Sequence, residues 1–395
     1  MKDYWSAMSD PNSSAEGPRV WFVSAAVGGG HNSAARALME QLAREAPHVR
    51  CELVDMMSLV PGAFRAYYAG GFALAMTRLP WAYGLGFHLT NRPHCPRRSF
   101  GERLRLAWER WNTGRFAAKL LRDRPALIVH THFLAPPVVA RLVAAGRADV
   151  PQAVVVTDND VHRWWYSEGV EQWFLPNDDA RATLDRWGIA PQRVAVCGIP
   201  IHPKWIAPVD REKVLAEWRL PTDRKIVLLS GGTEFTCGPV VKIARRIVAA
   251  RADVCVVVLA GRNKKLLARL AATAEARDGR IVPQGFTDRL HELAEVASLM
   301  LTKPGGVTTS ECLSKGLPMV LMNPVPGQEG ANAEYFRRAG TAVVAKGAGE
   351  IVRAATALLD DPEATARMSD CARRLYRQAT QTVTEWILNR LGSPR

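Results

Sequence analysis

Three times along this chain an apolar run of strand length leads into glycines and then into a helical pattern. No other feature narrows the fold as much. Residues 20–26 (VWFVSAA) precede Gly28-Gly29-Gly30 and a helical pattern over 33–44. Residues 226–230 precede Gly231-Gly232 and a pattern over 240–250, and residues 299–303 precede Gly305-Gly306 and a pattern over 309–315. Strand, glycine turn, helix is how an α/β unit opens, with parallel strands buried on both faces. Apolar runs at 51–54, 127–130, 153–157, 170–175 and 193–196 extend the first cycle, and runs at 255–259, 280–282 and 318–322 extend the second. Segment 201–221, which carries Pro203, Pro208 and Pro221, lies between the cycles and reads as an interdomain linker. A length of 395 residues suits two domains, each with its own core. The expectation is α/β: two Rossmann-like parallel-sheet domains facing a cleft that holds the ligand.

Charge adds the next constraint. The chain carries 52 Lys and Arg against 38 Asp and Glu, a formal +14, which calls for an anionic partner such as nucleic acid, a phosphorylated substrate or a membrane. Seven scattered cysteines without a CxxC pair exclude a zinc ribbon or disulfide scaffold and suit a reducing compartment. Residues 1–17 lack the apolar core of a signal peptide and carry Asp3, Asp10 and Glu16, so they are expected to be a tail. Segment 66–91 is apolar and aromatic, but Arg78 and Pro80 interrupt it, and each arm is too short to span a bilayer. It reads as a buried or interfacial element.

The chemistry concentrates in 302–335. Lys303 ends a strand, and Pro304-Gly305-Gly306 makes a turn without side chains. Thr308, Thr309 and Ser310 then open a helix, where hydroxyls and backbone N–H groups form an anion site fit for a diphosphate; the alternative is an ordinary capped helix. Glu311 can accept two hydrogen bonds from a ribose diol. After the next strand, Gln328, Glu329 and Asn332 supply the amides and carboxylate that read sugar hydroxyls. The loop beginning Ser230-Gly231 can hold phosphate with its amides or admit an acceptor. Near the N-terminus, Gly29 and Gly30 let backbone approach a ligand, with His31 beside them at a helix start as either a neutral base or a cap. Asp158, at the end of a strand, can act as base or orient His31. Asp158-Asn159-Asp160 also spells a D-x-D metal signature, set aside because the chain supplies amide dipoles for a leaving diphosphate.

These runs resemble the monogalactosyldiacylglycerol synthase and processive diacylglycerol glucosyltransferase family. More distantly, they are similar to the peptidoglycan-precursor N-acetylglucosaminyltransferase. The resemblance rests on K-P-G-G-x-T-x-S-E from Lys303 to Glu311, G-L-P from Gly316, P-G-Q-E from Pro326 and Asn332. It extends to the S-x-x-x-G-x-G-H loop ending at His31, the T-D-x-x-x-H-x-W segment from Thr157 and G-I-P-I from Gly198. Gln284-Gly285-Phe286 is similar to the family loop that contacts uracil. The loop 233–237 departs from the pattern.

The resemblance implies a GT-B fold and an inverting transfer of a hexose from UDP-glucose or UDP-galactose to a diacylglycerol-like hydroxyl. It implies no cofactor and no metal. His31 or Asp158 would take the proton. Gly231, Gly285, Phe286, Lys303, Gly305, Gly306, Thr308, Thr309, Glu311, Gln328, Glu329 and Asn332 would hold the UDP-sugar. The implied domains are an acceptor and membrane domain over 18–205 and a UDP-sugar domain over 206–380, with a last helix, 381–395, crossing back to the first. A UDP-sugar epimerase on the same fold is the second enzyme reading.

Region 61–124 carries twelve Lys and Arg against three acids, so most of the net charge is local. Arginines including Arg97 and Arg98 interleave there with aromatics including Trp81 and Trp108. Basic and aromatic residues together also describe nucleic-acid binding, but the apolar arm 66–77 has no use on a phosphate backbone and suits an acyl layer. With Gly29 and Gly30, these residues form the expected acceptor and membrane surface. The expected location is cytoplasmic, peripheral to the inner face of the cell membrane, with no nucleic-acid partner.

Overall fold

The computed structural model describes residues 17–26, 29–71, 74, 78–91, 98–230 and 238–392. Gly231 and Arg97 lie outside the described residues, as do loop 233–237 and part of the apolar arm. Two six-stranded, wholly parallel sheets form the frame. The first comprises β1 (Arg19–Ser24), β2 (Arg50–Asp55), β3 (Leu127–His130), β4 (Gln152–Val155), β5 (Gln172–Leu175) and β6 (Val194–Val196), in the order β2-β1-β3-β4-β5-β6. The second comprises β7 (Lys225–Ser230), β8 (Val254–Gly261), β9 (Ile281–Gly285), β10 (Ala297–Thr302), β11 (Met319–Met322) and β12 (Ala342–Ala345), in the order β12-β11-β10-β7-β8-β9. Strands such as β3 and β8 are apolar and buried along their length because helices cover both faces.

The direction in which successive strands are added reverses between β1 and β3 in one sheet and between β7 and β10 in the other. Such switch points open the crevices where doubly wound sheets bind ligands. The helices that matter to the site are α1 (Gly29–Glu45), α2 (Pro80–Thr90), α3 (Phe100–Asn112), α4 (Gly306–Ser314), α5 (Gln328–Arg338) and α6 (Ala379–Gly392). Ala379, Val383 and Ile387, spaced by four along α6, are buried with Val20, Phe22 and Leu38 of the first sheet's core. The Thr380 hydroxyl fixes that return, donating to Ile201 O at 2.6 Å and accepting from Ile201 N at 3.1 Å.

Segment 201–221 is not a free linker. Asp210 caps a helix over Arg211–Glu217 by accepting from Lys213 N at 3.1 Å. Trp205, Val214 and Leu220 are buried in the second domain's core. Its apolar residues form no long run but include large ones, and the prolines only shape its turns. Further on, the helix over Lys264–Ala271 ends before Thr273, whose hydroxyl caps a new turn over Ala274–Arg277. Among the described residues, no helix is long and apolar enough to cross a membrane.

The domains meet through backbone. A Cβ on Gly306 would lie 2.1 Å from Thr157 O and 2.9 Å from Ile199 Cδ1. A Cβ on Gly84 would lie 2.5 Å from Pro326 Cβ, and Gly327, at φ +98°, faces Tyr83 and Phe87 of α2. Gly306→Ala is therefore expected to destabilise the closed arrangement by about 1–3 kcal/mol, the usual cost of overpacking. Small-angle scattering should show a more open particle, and thermal denaturation a lower midpoint.

Candidate active site

Three strand ends of the first sheet converge. The loop after β1 leads into α1 and His31, the loop after β3 brings Thr131 and His132, and the loop after β4 brings Thr157 and Asp158. His31 Nδ1 lies 2.9 Å from Thr131 O and 2.7 Å from Thr157 Oγ1. A carbonyl only accepts, so Nδ1 carries the proton and Nε2 the lone pair, the tautomer a base at Nε2 needs. The orienting group is thus a backbone carbonyl. Asp158 makes no hydrogen bond to His31. Its Oδ1 accepts from Gln328 Nε2 and its Oδ2 from Trp165 Nε1 at 3.4 Å. Burial pushes its carboxyl up, opposed by the nearby His31 and these two donors.

The second domain faces this cluster with the turn after β10. Gly305 is exposed with open space beside it, whereas Gly306 is sealed against Thr157. Thr309 Oγ1 donates back to Gly305 O at 2.9 Å and Ser310 Oγ to Gly306 O at 2.9 Å. What the turn offers an anion is therefore mainly N–H, with the half-buried Thr308 hydroxyl alone not bonded back onto the helix: no side chain caps α4, and the amides of Gly306, Val307 and Thr308 have no acceptor within the helix. Lys303 Nζ pairs with Glu329 at 3.2 Å, and Val325 N donates to the same carboxylate at 3.0 Å. Glu311 is partly buried; burial pushes its carboxyl up to about 8, against the pull of Lys204 and a bond from Trp205.

The family model of monogalactosyldiacylglycerol (MGDG) synthase matches residues 31–201, and that of glycosyl transferases group 1 matches residues 210–375. The processive diacylglycerol beta-glucosyltransferases of Bacillus thuringiensis (strain Al Hakam) and Bacillus cereus (strain AH820) are each 30% identical over 270 residues, covering 67% of this chain and 68% of theirs. The chain belongs to this family of glycosyltransferases. Among solved structures, S. aureus MnaA with UDP matches at TM-score 0.63 and 16% identity, over 96% of this chain and 99% of that one. Acinetobacter baumannii MurG matches at TM-score 0.57 and 15% identity, over 94% and 99%. At those identities the likeness is one of fold, and that fold is GT-B.

Within this glycosyltransferase, several residues singled out in the sequence serve the domain contact. Asn332 is buried, its Nδ2 donating to Pro304 O at 3.0 Å and its Oδ1 accepting from Asn159 N at 2.8 Å across the cleft. Gly29 and Gly30 form the first turn of α1, and a Cβ on Gly30 would sit 3.6 Å from Val307 Cγ2. Gly285 ends β9, and the exposed Phe286 beside it lies under the Arg262 guanidinium at 4.9 Å.

Arg98 turns inward, pairing with Glu168 at 3.5 Å over the Tyr166 ring, so it is not a free surface cation. Trp81 and Trp108 are exposed, Trp108 with one side on Phe64 at 4.6 Å. The sequence reading missed Thr131 and His132, although His130-Thr131-His132 ends a strand as Thr157-Asp158 does. It also missed Arg163, wholly buried beneath α3. Arg163 Nε donates to Glu102 at 2.8 Å, and its guanidinium lies 3.9 Å from the Tyr166 ring centre. Glu102 closes a capping box with Ser99 at the start of α3.

Burial opposes ionisation of Glu102, but the Ser99 amide and Arg163 prevail and hold its carboxyl below the usual value. The pair's contribution is therefore present above the unfolded carboxylate range and lost as pH falls through the lowered value. Glu102→Gln leaves a buried guanidinium unneutralised, and urea denaturation at pH 7 should show a loss of about 3–5 kcal/mol.

Proposed function

We propose that this glycosyltransferase moves a hexose from a UDP-sugar to the hydroxyl of a diacylglycerol-like lipid at a membrane surface, with inversion at the anomeric carbon. The observation that carries the reading is the His31 tautomer, a lone pair at Nε2 in the crevice that also receives the uncapped start of α4. In the proposed step Nε2 takes the acceptor proton as the oxygen attacks the anomeric carbon from the face opposite the diphosphate. The amides of Gly306, Val307 and Thr308 meet the charge developing on the departing UDP, the kind of preorganised dipole that supplies most of such a barrier reduction. Asp158 sits close enough to favour the imidazolium electrostatically. In the proposed complex Lys303, Gln328 and Glu329 hold the sugar, Glu311 the ribose, and Gly285-Phe286 offer a wall for uracil.

Acceptor chemistry follows from the relatives' names and the surface. Trp81, Leu85 and Leu89 of α2, and Phe100, Leu104, Trp108 and Trp111 of α3, are all exposed at helical spacing. Soluble surfaces avoid such contiguous apolar stripes. Arg103, Arg110 and Arg115 are exposed beside them, suited to anionic headgroups. A nucleic-acid partner gains nothing from two apolar stripes. The epimerase reading has only fold likeness behind it.

No metal is proposed: both Asp158 oxygens accept N–H bonds, which does not suit a cation. Incubation with diacylglycerol vesicles and, separately, UDP-glucose, UDP-galactose and UDP-N-acetylglucosamine should give one glycolipid by mass spectrometry. The product should have the β configuration, at a rate unchanged by EDTA. His31→Ala should lower that rate roughly 10²–10⁴-fold, the range for a lost general base. No lipid product from any donor with the wild-type protein would refute the reading. In flotation assays the protein should rise with anionic vesicles, and the triple change Trp81→Ser, Leu85→Ser, Leu89→Ser should weaken partition at least about tenfold.

A further inference from the structure

A second histidine stands beside His31 with no part assigned to it. His132, in the loop after β3, is 3% exposed. The Leu134 amide donates to its Nδ1 at 3.1 Å, so the lone pair is at Nδ1 and the proton at Nε2. The ring stacks on Phe133 at 4.2 Å and meets the His31 ring edge to face at 4.8 Å. Tyr68 closes another side at 6.3 Å. Burial, reinforced by the neighbouring His31, holds the imidazole well below its usual range, so it stays neutral. The Nε2–H has no hydrogen-bond partner among the described residues, so it is available to a ligand.

The two imidazoles are therefore complementary. His31 presents a lone pair at Nε2, and His132 presents an N–H at its own Nε2. An alcohol satisfies both at once, because its O–H donates to one ring while its oxygen accepts from the other. A carboxylate has no proton for His31, and an ammonium has no lone pair for His132. We propose that His132 is a substrate-contacting residue of the acceptor site, its Nε2–H holding the oxygen of the attacking alcohol against Nε2 of His31.

The inference rests on the transfer reading above and adds a residue and a chemical filter to it. In the step, the alcohol O–H bond breaks and its proton goes to His31 Nε2. One oxygen lone pair forms the bond to the anomeric carbon, and the bond from that carbon to the diphosphate oxygen breaks with its electron pair leaving on UDP. The other lone pair accepts from His132, which keeps its proton throughout. A neutral His132 also adds no charge against the imidazolium forming next to it.

The test is steady-state kinetics of the full chain on diacylglycerol vesicles, with whichever UDP-hexose the wild type uses. His132→Phe keeps a flat ring without a donor, and His132→Gln restores an N–H near Nε2. The expected result is that His132→Phe lowers kcat/KM for the acceptor about tenfold to a hundredfold. The KM for the UDP-sugar, the affinity for UDP and the melting temperature should not change, and His132→Gln should recover most of the loss. A diacylglycerol analogue with hydrogen in place of the free hydroxyl should inhibit wild type and His132→Phe equally, since it has no oxygen for the N–H.

Acceptor turnover by His132→Phe at the wild-type rate overturns the proposal. Equal impairment of His132→Phe and His132→Gln, with UDP affinity intact, also overturns it, because packing alone then explains the effect. If phenylalanine is not tolerated, His132→Met serves as the donor-free variant with the same two criteria. A wild type that transfers sugar to no lipid alcohol overturns the functional reading and this one with it. A wild type that transfers, beside an unimpaired His132→Phe, overturns this one alone.

Discussion

The approach of Gly306 to the Thr157 carbonyl sets the geometry of the whole cleft. A methyl group at position 306 would lie 2.1 Å from that oxygen, so the turn before α4 can reach the end of β4 only without a side chain. Thr157 is also the residue whose hydroxyl meets His31 Nδ1 at 2.7 Å, and Asp158 follows it. One peptide of the first domain therefore touches both the helix whose amides would meet the leaving group in the proposed transfer and the imidazole that would take the acceptor's proton. The Asn332 and Gln328 bonds to Asn159 and Asp158 repeat the connection one turn away. Relative position of the two domains and relative position of the two reacting partners are thus one quantity, which is what a transfer between separately bound substrates requires.

The electrostatics of the cluster follow from burial more than from pairing. His132 and His162 are both held low by desolvation, His162 at about 4, so at neutral pH each is a fixed dipole and not a charge. In the proposed transfer the charge that forms is therefore confined to His31, and the nearest carboxyl, Asp158, is itself disfavoured as an anion by burial. A proton delivered to His31 Nε2 would thus stand within electrostatic range of Asp158. What orients the ring is the Thr131 carbonyl, not a bonded carboxylate.

The alternation of strand and helix, both sheets, the two switch-point loops and the positions of His31, Asp158, Lys303 and Glu311 were legible because each depends on local pattern: an apolar run, a glycine turn, a helix start. What was not legible depends on distant partners. Gly306 reads as room for a ligand, and only its contact with residue 157 shows that it makes room for another domain. Asn332 reads as a sugar ligand until its amide is found bonded to Pro304 and Asn159. Thr309 reads as a phosphate ligand until its hydroxyl turns back on its own helix, a competition local to the backbone but invisible in residue type. His132 carries no periodic or glycine signal, and its meaning comes from ring distances. Trp205, Val214 and Leu220 anchor a segment whose prolines suggest a tether, because three large side chains suffice to bury it.

The net charge of +14 yields to the same treatment. In region 61–124, Arg98, Arg105 and Lys119 are already paired with carboxylates, and Glu102 and Glu109 are buried under α3. That helix is inverted relative to an ordinary surface helix: its acids point inward to Arg163 and Arg105, while Phe100, Leu104, Trp108 and Trp111 point out. An aqueous surface offers no compensation for such an arrangement, since the outward residues gain nothing there and the inward charges carry a desolvation cost. It becomes favourable when the outer face meets an apolar phase. The inner face then has a use as well, because Arg163 belongs to the loop that begins at Asp158, and α2 holds that loop through Phe87 O and Asn91. In the proposed membrane-bound state, the two helices that would meet the apolar phase thus grip the segment that carries the cleft carboxylate.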